Sequence, residues 1–201
     1  MDESHKKTMV QTYDSSARKL AEYFKGIGSR TMDVELIQAF LDPKPNIVEV
    51  GCGDGRDSVE LAKIAGSFTA FDISEGMIEI AQERMPDGDF EVADMESYDF
   101  PQGTDAVVGF ASFLHVPKEA FTDIAQKVHA ALNDGGLLYV SVKKRDSYQG
   151  EVKVDDFGER LFYFYDLPTL REVVGDQFEE LYIDEQKIGN TEWYSVLWRK
   201  Q

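Results

Sequence analysis

The chain has 201 residues, of which 42% are hydrophobic and 12% aromatic, and its single cysteine is Cys52. We predict one packed globular domain, and a lone cysteine excludes an intramolecular disulfide. The formal net charge is −17, with acids spread along the whole chain, which argues against binding to a nucleic-acid backbone. We expect no secretory signal and no membrane span, and therefore a soluble, cytoplasmic protein.

Short apolar runs alternate with amphipathic stretches, and this order favours a parallel sheet with helices on both faces. In chain order we predict helix 8–25, helix 32–41, strand 47–50, helix 56–65, strand 68–71, helix 74–84, strand 90–93, strand 105–110, helix 117–132, strand 137–142, a polar loop or lid 147–159, helix 167–174 and strands 178–186 and 193–199. The Asn-Asp-Gly-Gly sequence at 133–136 predicts a turn that ends the helix before it.

The most informative motif lies between the first predicted strand and the helix after it. It reads Glu49-Val50-Gly51-Cys52-Gly53-Asp54-Gly55. Strand, glycine-rich turn and helix in this order build a site for a nucleoside cofactor, because glycines let the backbone approach the ligand. A dinucleotide fingerprint would require glycine at position 56, where this chain has Arg56. The motif instead resembles the first motif of class I S-adenosylmethionine (SAM)-dependent methyltransferases.

The predicted C-terminal hairpin also resembles this family, because the last strand of the family's sheet runs antiparallel. The resemblance implies a single α/β domain over 1–201. Its fold would be a Rossmann-like, doubly wound and mostly parallel seven-stranded sheet with an antiparallel last strand and helices on both faces. Residues 1–45 would form an N-terminal helical cap, 46–142 the SAM-binding core, and 143–201 a lid-like insertion and the C-terminal hairpin.

Asp72 ends the second predicted strand about twenty residues after the glycine loop, where a carboxylate can accept hydrogen bonds from both ribose hydroxyls. By resemblance, Glu49 braces the loop and reaches the methionine part of SAM, while Asp94 and the backbone of Met95 contact adenine. Met77 is predicted to pack on the adenine. The remaining predicted cofactor residues are Tyr13, Gly51, Cys52, Gly53, Gly55, Ile73 and Phe110.

Each of these assignments has a structural alternative. Asp72 and Asp94 are also typical turn residues, and Glu49 could simply face solvent at the end of its strand. Met77 could fill the core. Tyr13 lies in a segment that only approximately matches a helix that family members fold over SAM.

The segment after the fourth predicted strand and the aromatic run near residue 162 are the candidates for the acceptor side. His115, in Ser112-x-Leu114-His115-x-Pro117, is either a general base with an ordinary pKa or a residue that shapes the pocket. Tyr163 is a second catalytic candidate, and Arg160 and Tyr165 are predicted to bind substrate. The alternative for this run is packing at a sheet edge. We predict no metal site.

The sequence therefore favours a methyltransferase that transfers a methyl group from SAM to a small-molecule acceptor, as a monomer or homodimer, without nucleic-acid or membrane partners. Two other classes remain. A non-catalytic SAM-binding protein is compatible with the same motifs, and a nicotinamide-dependent oxidoreductase is disfavoured by Arg56.

Overall fold

A computed structural model describes residues 3–201. Its elements in chain order are α1 (Glu3–Lys25), α2 (Thr31–Gln38), β1 (Asn46–Val50), α3 (Ser58–Ile64), β2 (Ser67–Asp72), α4 (Glu75–Arg84), β3 (Asp89–Val92), β4 (Thr104–Phe110), α5 (Lys118–Ala131), β5 (Leu132–Lys143), β6 (Gln149–Asp155), β7 (Gly158–Phe164), α6 (Leu167–Val174), β8 (Phe178–Ile188) and β9 (Thr191–Lys200). None of the helices in this part of the chain is long and apolar enough to cross a membrane.

Seven strands form one sheet in the order β3-β2-β1-β4-β5-β9-β8. The five strands from β3 to β5 run parallel, and β9 runs antiparallel to both of its neighbours. The predicted Rossmann-like, mostly parallel sheet is therefore confirmed. The carboxyl ends of its five parallel strands meet at one edge, where ligands bind in folds of this type.

The central strands are mostly apolar because both faces of the sheet are covered. Val107 and Leu138 pack with α5 and α6 on one face, whereas Val108 and Leu137 pack with α2 and α3 on the other. This packing gives the sheet a fixed orientation relative to its helices on both sides.

Helix α1 lies against α4 and β7. Asp14 on α1 accepts hydrogen bonds from the Ser74 hydroxyl at 2.6 Å and from the Gly76 N–H at 3.2 Å, at the start of α4. Ser16 donates to the Phe157 carbonyl at 2.6 Å, in the turn between β6 and β7. These bonds hold α1 across the carboxyl edge of the sheet.

One predicted connection is wrong. Most of the predicted loop 147–159 is strand β6, which pairs antiparallel with β7 along its whole length. Its pattern is hard to read because Val154 is 75% exposed, so this strand lacks a buried apolar face. The stop predicted at 133–136 is confirmed, because α5 ends at Ala131 and these four residues form a bulge in β5 opposite Asp105, with Gly135 at a φ of 77°.

Three helix boundaries also differ. α1 begins at Glu3, five residues before the predicted start. α2 ends at Gln38, three residues before the predicted end at 41. After the glycine loop, turns precede α3, which begins at Ser58.

Candidate active site

A cavity of about 420 Å³ lies at the carboxyl edge of the sheet. Residues at or just after the ends of β1, β2, β3, β4 and β5 line it, and α1 and the β6–β7 hairpin cover it. The predicted site residues that line it are Tyr13, Glu49, Gly51, Cys52, Gly53, Asp72, Ile73, Met77, Asp94, Met95, Phe110, His115 and Arg160. Residues that are 147 positions apart in sequence thus share one cavity.

The glycine loop begins where β1 ends and passes along the cavity wall. Gly51, Gly53 and Gly55 all have positive φ angles, of 68°, 55° and 71°. The Gly51 N–H donates to the Phe71 carbonyl at 2.8 Å, which ties the loop to β2. A Cβ atom on Gly53 would meet no atom within 4 Å, so the backbone there is open to a ligand.

Gly55 serves the packing of this loop. A Cβ atom on Gly55 would lie 2.9 Å from the Cβ of Ala81 on α4. Gly55 therefore lets the loop approach α4, whereas Gly51, Cys52 and Gly53 face the cavity. The motif combines a ligand surface with a close backbone contact behind it.

Asp72 ends β2 with both carboxylate oxygens hydrogen-bonded to the backbone. Oδ2 accepts from the Gly53 N–H at 2.9 Å and Oδ1 accepts from the Ser74 N–H at 3.0 Å. Burial raises the pKa of this carboxyl despite these bonds. Each oxygen of a carboxylate has a second lone pair, so both still have capacity to accept a hydroxyl from a ligand in the cavity.

Glu49 is 1% exposed, so the alternative of a solvent-facing residue at the strand end is wrong. Ser58 donates to its Oε2 at 2.5 Å. Burial raises the pKa of Glu49 well above its usual range, and the charges of Asp57 and Asp72 raise it further. A cation in the cavity would offset this penalty, because an opposite charge favours the ionised carboxylate.

The residues predicted to contact adenine lie where β2 and β3 end. Asp94 accepts from the Glu96 N–H at 3.0 Å through Oδ1 and forms an ion pair with Lys6 through Oδ2. Lys6, on α1, also contacts Glu96 at 2.8 Å. Met77 is buried and packs with Leu20 of α1, so it lines the cavity and fills the core at the same time.

His115 and Tyr13 form a hydrogen-bonded pair between α1 and the segment after β4. His115 Nδ1 lies 2.9 Å from the Leu161 carbonyl, and Nε2 lies 2.8 Å from the Tyr13 hydroxyl. A carbonyl only accepts, so Nδ1 carries the proton and Nε2 accepts from Tyr13.

Burial lowers the pKa of His115 to about 3 and raises that of Tyr13 to about 12. The expectation of an ordinary pKa for His115 is therefore wrong. At neutral pH its imidazole is neutral and its free lone pair is already engaged. This geometry favours the alternative in which His115 shapes the pocket.

The aromatic run on β7 divides between two sides of the strand, since successive side chains alternate. Arg160 and Phe162 face the cavity. Tyr163 faces the other way and stacks on Tyr148, with ring centroids 6.0 Å apart. Tyr165 is fully buried in the core, where its hydroxyl donates to the Val116 carbonyl at 2.8 Å. The structure therefore does not bring Tyr163 or Tyr165 to the cavity.

Several cavity residues had no predicted role. They are Lys6, Arg30, Arg56, Lys143, Lys153 and Trp193. The sequence could have predicted Lys143 as a cavity residue, because it directly follows the buried residues of β5. The carboxyl ends of parallel strands meet at the edge of the sheet where ligands bind. In contrast, Lys153 lies on the hairpin that was predicted as a loop, and Lys6 reaches the cavity only through the packing of α1.

Known proteins similar to this chain are methyltransferases. A family model described as a methyltransferase domain matches residues 47–136. The trans-aconitate 2-methyltransferase of Rhodopseudomonas palustris is 32% identical over 125 residues, which are 60% of this chain and 48% of that protein. The chain spans about half the length of the curated relatives it matches.

Solved structures share the fold. A SAM-dependent methyltransferase of Methanosarcina mazei has a TM-score of 0.74 at 21% identity, over 82% of this chain and 96% of that one. The 1,6-didemethyltoxoflavin-N1-methyltransferase of Burkholderia thailandensis, solved with S-adenosylhomocysteine, also has a TM-score of 0.74, at 19% identity over 96% and 88% of the two chains.

The cavity lies at the carboxyl edge of a doubly wound sheet, which is where ligands bind in folds of this type. Residues 47–136 match a methyltransferase domain, and the sheet has the fold of SAM-dependent methyltransferases of known structure, to which the sequence was found similar. SAM, the cofactor of such enzymes, carries a sulfonium and an ammonium group. The buried carboxylate of Glu49 and the partly buried carboxylate of Asp72 fit such a cation, whereas Asp57 already pairs with Arg56 at 2.8 Å. The buried Ser112 hydroxyl at the cavity finds no hydrogen-bond partner within residues 3–201.

Proposed function

We propose that this protein transfers the methyl group of SAM to a small-molecule acceptor. The observation that carries the proposal is the position of Asp72. Its carboxylate lies beside the open backbone of Gly53, 2.9 Å from that N–H, at the edge of a cavity that continues beyond the glycine loop. One part of this cavity would bind the cofactor and the rest would receive the acceptor.

Each proposed cofactor residue would contact a different part of SAM. Asp72 accepts hydrogen bonds from the ribose hydroxyls, and Asp94 with the Met95 N–H recognises adenine. Lys6 neutralises Asp94 and keeps α1 over this end of the cavity. Glu49 stabilises the positively charged methionine end from below the loop.

Bound SAM supplies an activated methyl group on a sulfonium, so the chain contributes alignment and exclusion of water more than bond chemistry. α1 closes the cavity from above through Tyr13, and the Tyr13–His115 hydrogen bond fixes the position of that lid. A neutral imidazole in this place adds no positive charge beside the sulfonium. We expect the acceptor's nucleophilic atom to lie near the segment Ala111 to His115.

A small acceptor is favoured over a macromolecule. The net charge of −17 opposes nucleic acids, and α1 with the β6–β7 hairpin covers the cavity. The Rhodopseudomonas relative is named for trans-aconitate and the Burkholderia neighbour for 1,6-didemethyltoxoflavin, both small molecules. The protein would act as a monomer or homodimer.

Calorimetric titration with SAM and with NAD tests the cofactor. We expect SAM and S-adenosylhomocysteine to bind at micromolar affinity and NAD not to bind, because Arg56 replaces the third glycine of a dinucleotide site. Transfer of labelled methyl from SAM to a metabolite panel then separates an enzyme from a non-catalytic SAM-binding protein. Tighter binding of NAD than of SAM would contradict the proposal.

A substitution of His115 tests its role in the reaction. We expect His115→Asn to lower kcat less than about tenfold and to raise the acceptor KM, since base catalysis would contribute a hundredfold or more. The pH profile of the parent enzyme should show no ionisation from His115 near neutral pH, because burial lowers its pKa to about 3. A hundredfold loss of kcat at unchanged KM, with loss of an ionisation, would establish His115 as a base.

A further inference from the structure

The strand order sets the order in which charged and polar residues line the cavity. Going along the edge from β3 to β5, the residues at the strand ends are Asp94, Asp72, Gly51, Ser112 and Lys143. The first three belong to the proposed cofactor site. The opposite end of the cavity, at β5 and the β6–β7 hairpin, is left for the acceptor. Its lining includes three cations, Lys143, Lys153 and Arg160.

These three cations repel one another in a chain whose net charge is −17. The Lys143 ammonium lies 3.4 Å from the centre of the Phe162 ring and forms no ion pair with any residue in 3–201. Burial lowers its pKa to about 8, with Lys153 and Arg160 lowering it further and Asp155 and Glu151 opposing them. Lys153 pairs with Glu151 at 3.7 Å and Arg160 pairs with Asp155, so within 3–201 Lys143 alone of the three lacks an ion-pair partner. A half-buried cation without such a partner in a cavity is typical of a site that a charged ligand completes.

Arg160 has an unused hydrogen-bond donor at the same place. It is 9% exposed, its Nη2 pairs with Asp155, and its Nε–H finds no hydrogen-bond partner in the part of the chain that the structure describes. The rings of Phe157 and Phe162 flank the guanidinium, each with its centre 5.3 Å away. A buried, unpaired guanidinium donor is unfavourable unless a ligand accepts its hydrogen bond.

We propose that Arg160, Lys143 and Lys153 form an oxyanion subsite, which binds a carboxylate or phosphate group of the methyl acceptor. The inference rests on the proposed methyltransferase function and names its substrate class: a small anionic molecule. The subsite lies past the segment after β4, so it anchors the acceptor by its anionic group beside the cofactor's methyl group. A positively charged cofactor and an anionic acceptor also attract each other within this water-poor cavity.

The test measures anion binding to the complex of the protein with S-adenosylhomocysteine. Malonate, citrate and inorganic phosphate are titrated at constant ionic strength, with glycerol as the neutral control. We expect at least one carboxylate or phosphate to bind and glycerol not to bind. The carboxylate and phosphate arms distinguish the two sources of the oxyanion.

Single substitutions locate the binding. Lys143→Met and Arg160→Gln should each weaken anion affinity by about 10- to 100-fold, because each removes a charged hydrogen-bond donor. Arg160→Lys should restore part of the affinity. Lys144→Met is the matched control, since this neighbouring lysine pairs with Glu185 on β8 and should leave anion binding unchanged. Thermal unfolding of each variant verifies its folding. If Arg160→Gln does not fold, Lys143→Met alone tests the proposed subsite.

The pH dependence gives an independent readout. Lys143 is charged below its pKa of about 8 and loses its charge above it. A bound anion raises that pKa, so anion affinity should fall as pH rises through 8, and binding above this pH should take up a proton. Lys143→Met should remove this dependence. Calorimetry in buffers of different ionisation enthalpy detects the proton.

Two outcomes would overturn the inference. Either no anion binds to the S-adenosylhomocysteine complex, or the anions bind the Lys143 and Arg160 variants as tightly as the parent protein. SAM affinity, measured on the same samples, keeps this result separate from the proposed function. If SAM binds and a neutral acceptor is methylated as well as its carboxylate analogue, the methyltransferase function stands and the anionic substrate class is wrong.

Discussion

Replacing Asp72 with alanine should weaken SAM binding by about 30- to 150-fold. The change removes two hydrogen bonds from the ribose hydroxyls to a charged acceptor, together worth about 2–3 kcal/mol. The loss has a second source in this structure, because Asp72 also accepts the backbone N–H groups of Gly53 and Ser74. Without that bracing the glycine loop would be less well ordered for the cofactor. Calorimetric titration of both proteins measures the effect.

The control for this substitution is Asp89→Ala. Asp89 begins β3 at the opposite end of the strands, where it accepts from the Thr69 hydroxyl at 3.0 Å. Removing it changes the net charge equally but should leave SAM affinity within about twofold, since the carboxylate is exposed and distant from the cavity. If Asp72→Ala lowers affinity by less than about threefold, below roughly 0.7 kcal/mol, Asp72 does not bind the ribose.

Local patterns predicted the cofactor side of the cavity. The spacing of Gly51, Gly53 and Gly55, and of Asp72 about twenty residues later, is set by one strand-turn-helix-strand unit. The residues in such a unit have few ways to be arranged, so their position at one sheet edge follows from sequence order. The structure brings Gly51, Gly53 and Asp72 together at the cavity, and places Gly55 behind the loop against α4.

The acceptor side could not be predicted in the same way, because it depends on contacts between distant segments. Lys143, Lys144 and Arg145 are equivalent in the sequence, yet the pairing of β5 with β9 directs Lys143 to the cavity and Lys144 to Glu185. Tyr163 and Arg160 belong to one aromatic run, and only the register of β7 against β6 decides which side each takes.

The pKa of His115 also could not be predicted from the neighbouring sequence. A histidine after a strand end has an ordinary pKa if it is hydrated. Here Tyr13, which is 102 residues away in sequence, covers it from α1, and the Leu161 carbonyl fixes its tautomer from β7. Burial by these two segments changes a candidate base into a neutral residue that is hydrogen-bonded to α1 and β7.

Alanine substitutions in the glycine loop should differ in their effect on stability, because Gly51 and Gly53 have similar φ angles but different surroundings. Alanine at Gly51 would place its Cβ 2.4 Å from the Cβ of Ser112, which is buried and cannot easily move. Alanine at Gly53 would meet nothing within 4 Å. Both substitutions carry the penalty of a positive φ, about 1–2 kcal/mol, but only Gly51→Ala adds overpacking of about 1–3 kcal/mol.

We therefore expect Gly51→Ala to lower the free energy of unfolding by about 2–5 kcal/mol and Gly53→Ala by only about 1–2 kcal/mol. Urea denaturation should show this as a difference of roughly 1 M between the two midpoints. SAM affinity should follow a different order, because the new methyl group of Gly53→Ala points into the space left for the ligand. That variant should fold and yet bind SAM at least about tenfold more weakly. Equal midpoints for the two variants would show that Ser112 can move aside, and unchanged SAM affinity of Gly53→Ala would mean that the cofactor does not touch this part of the loop.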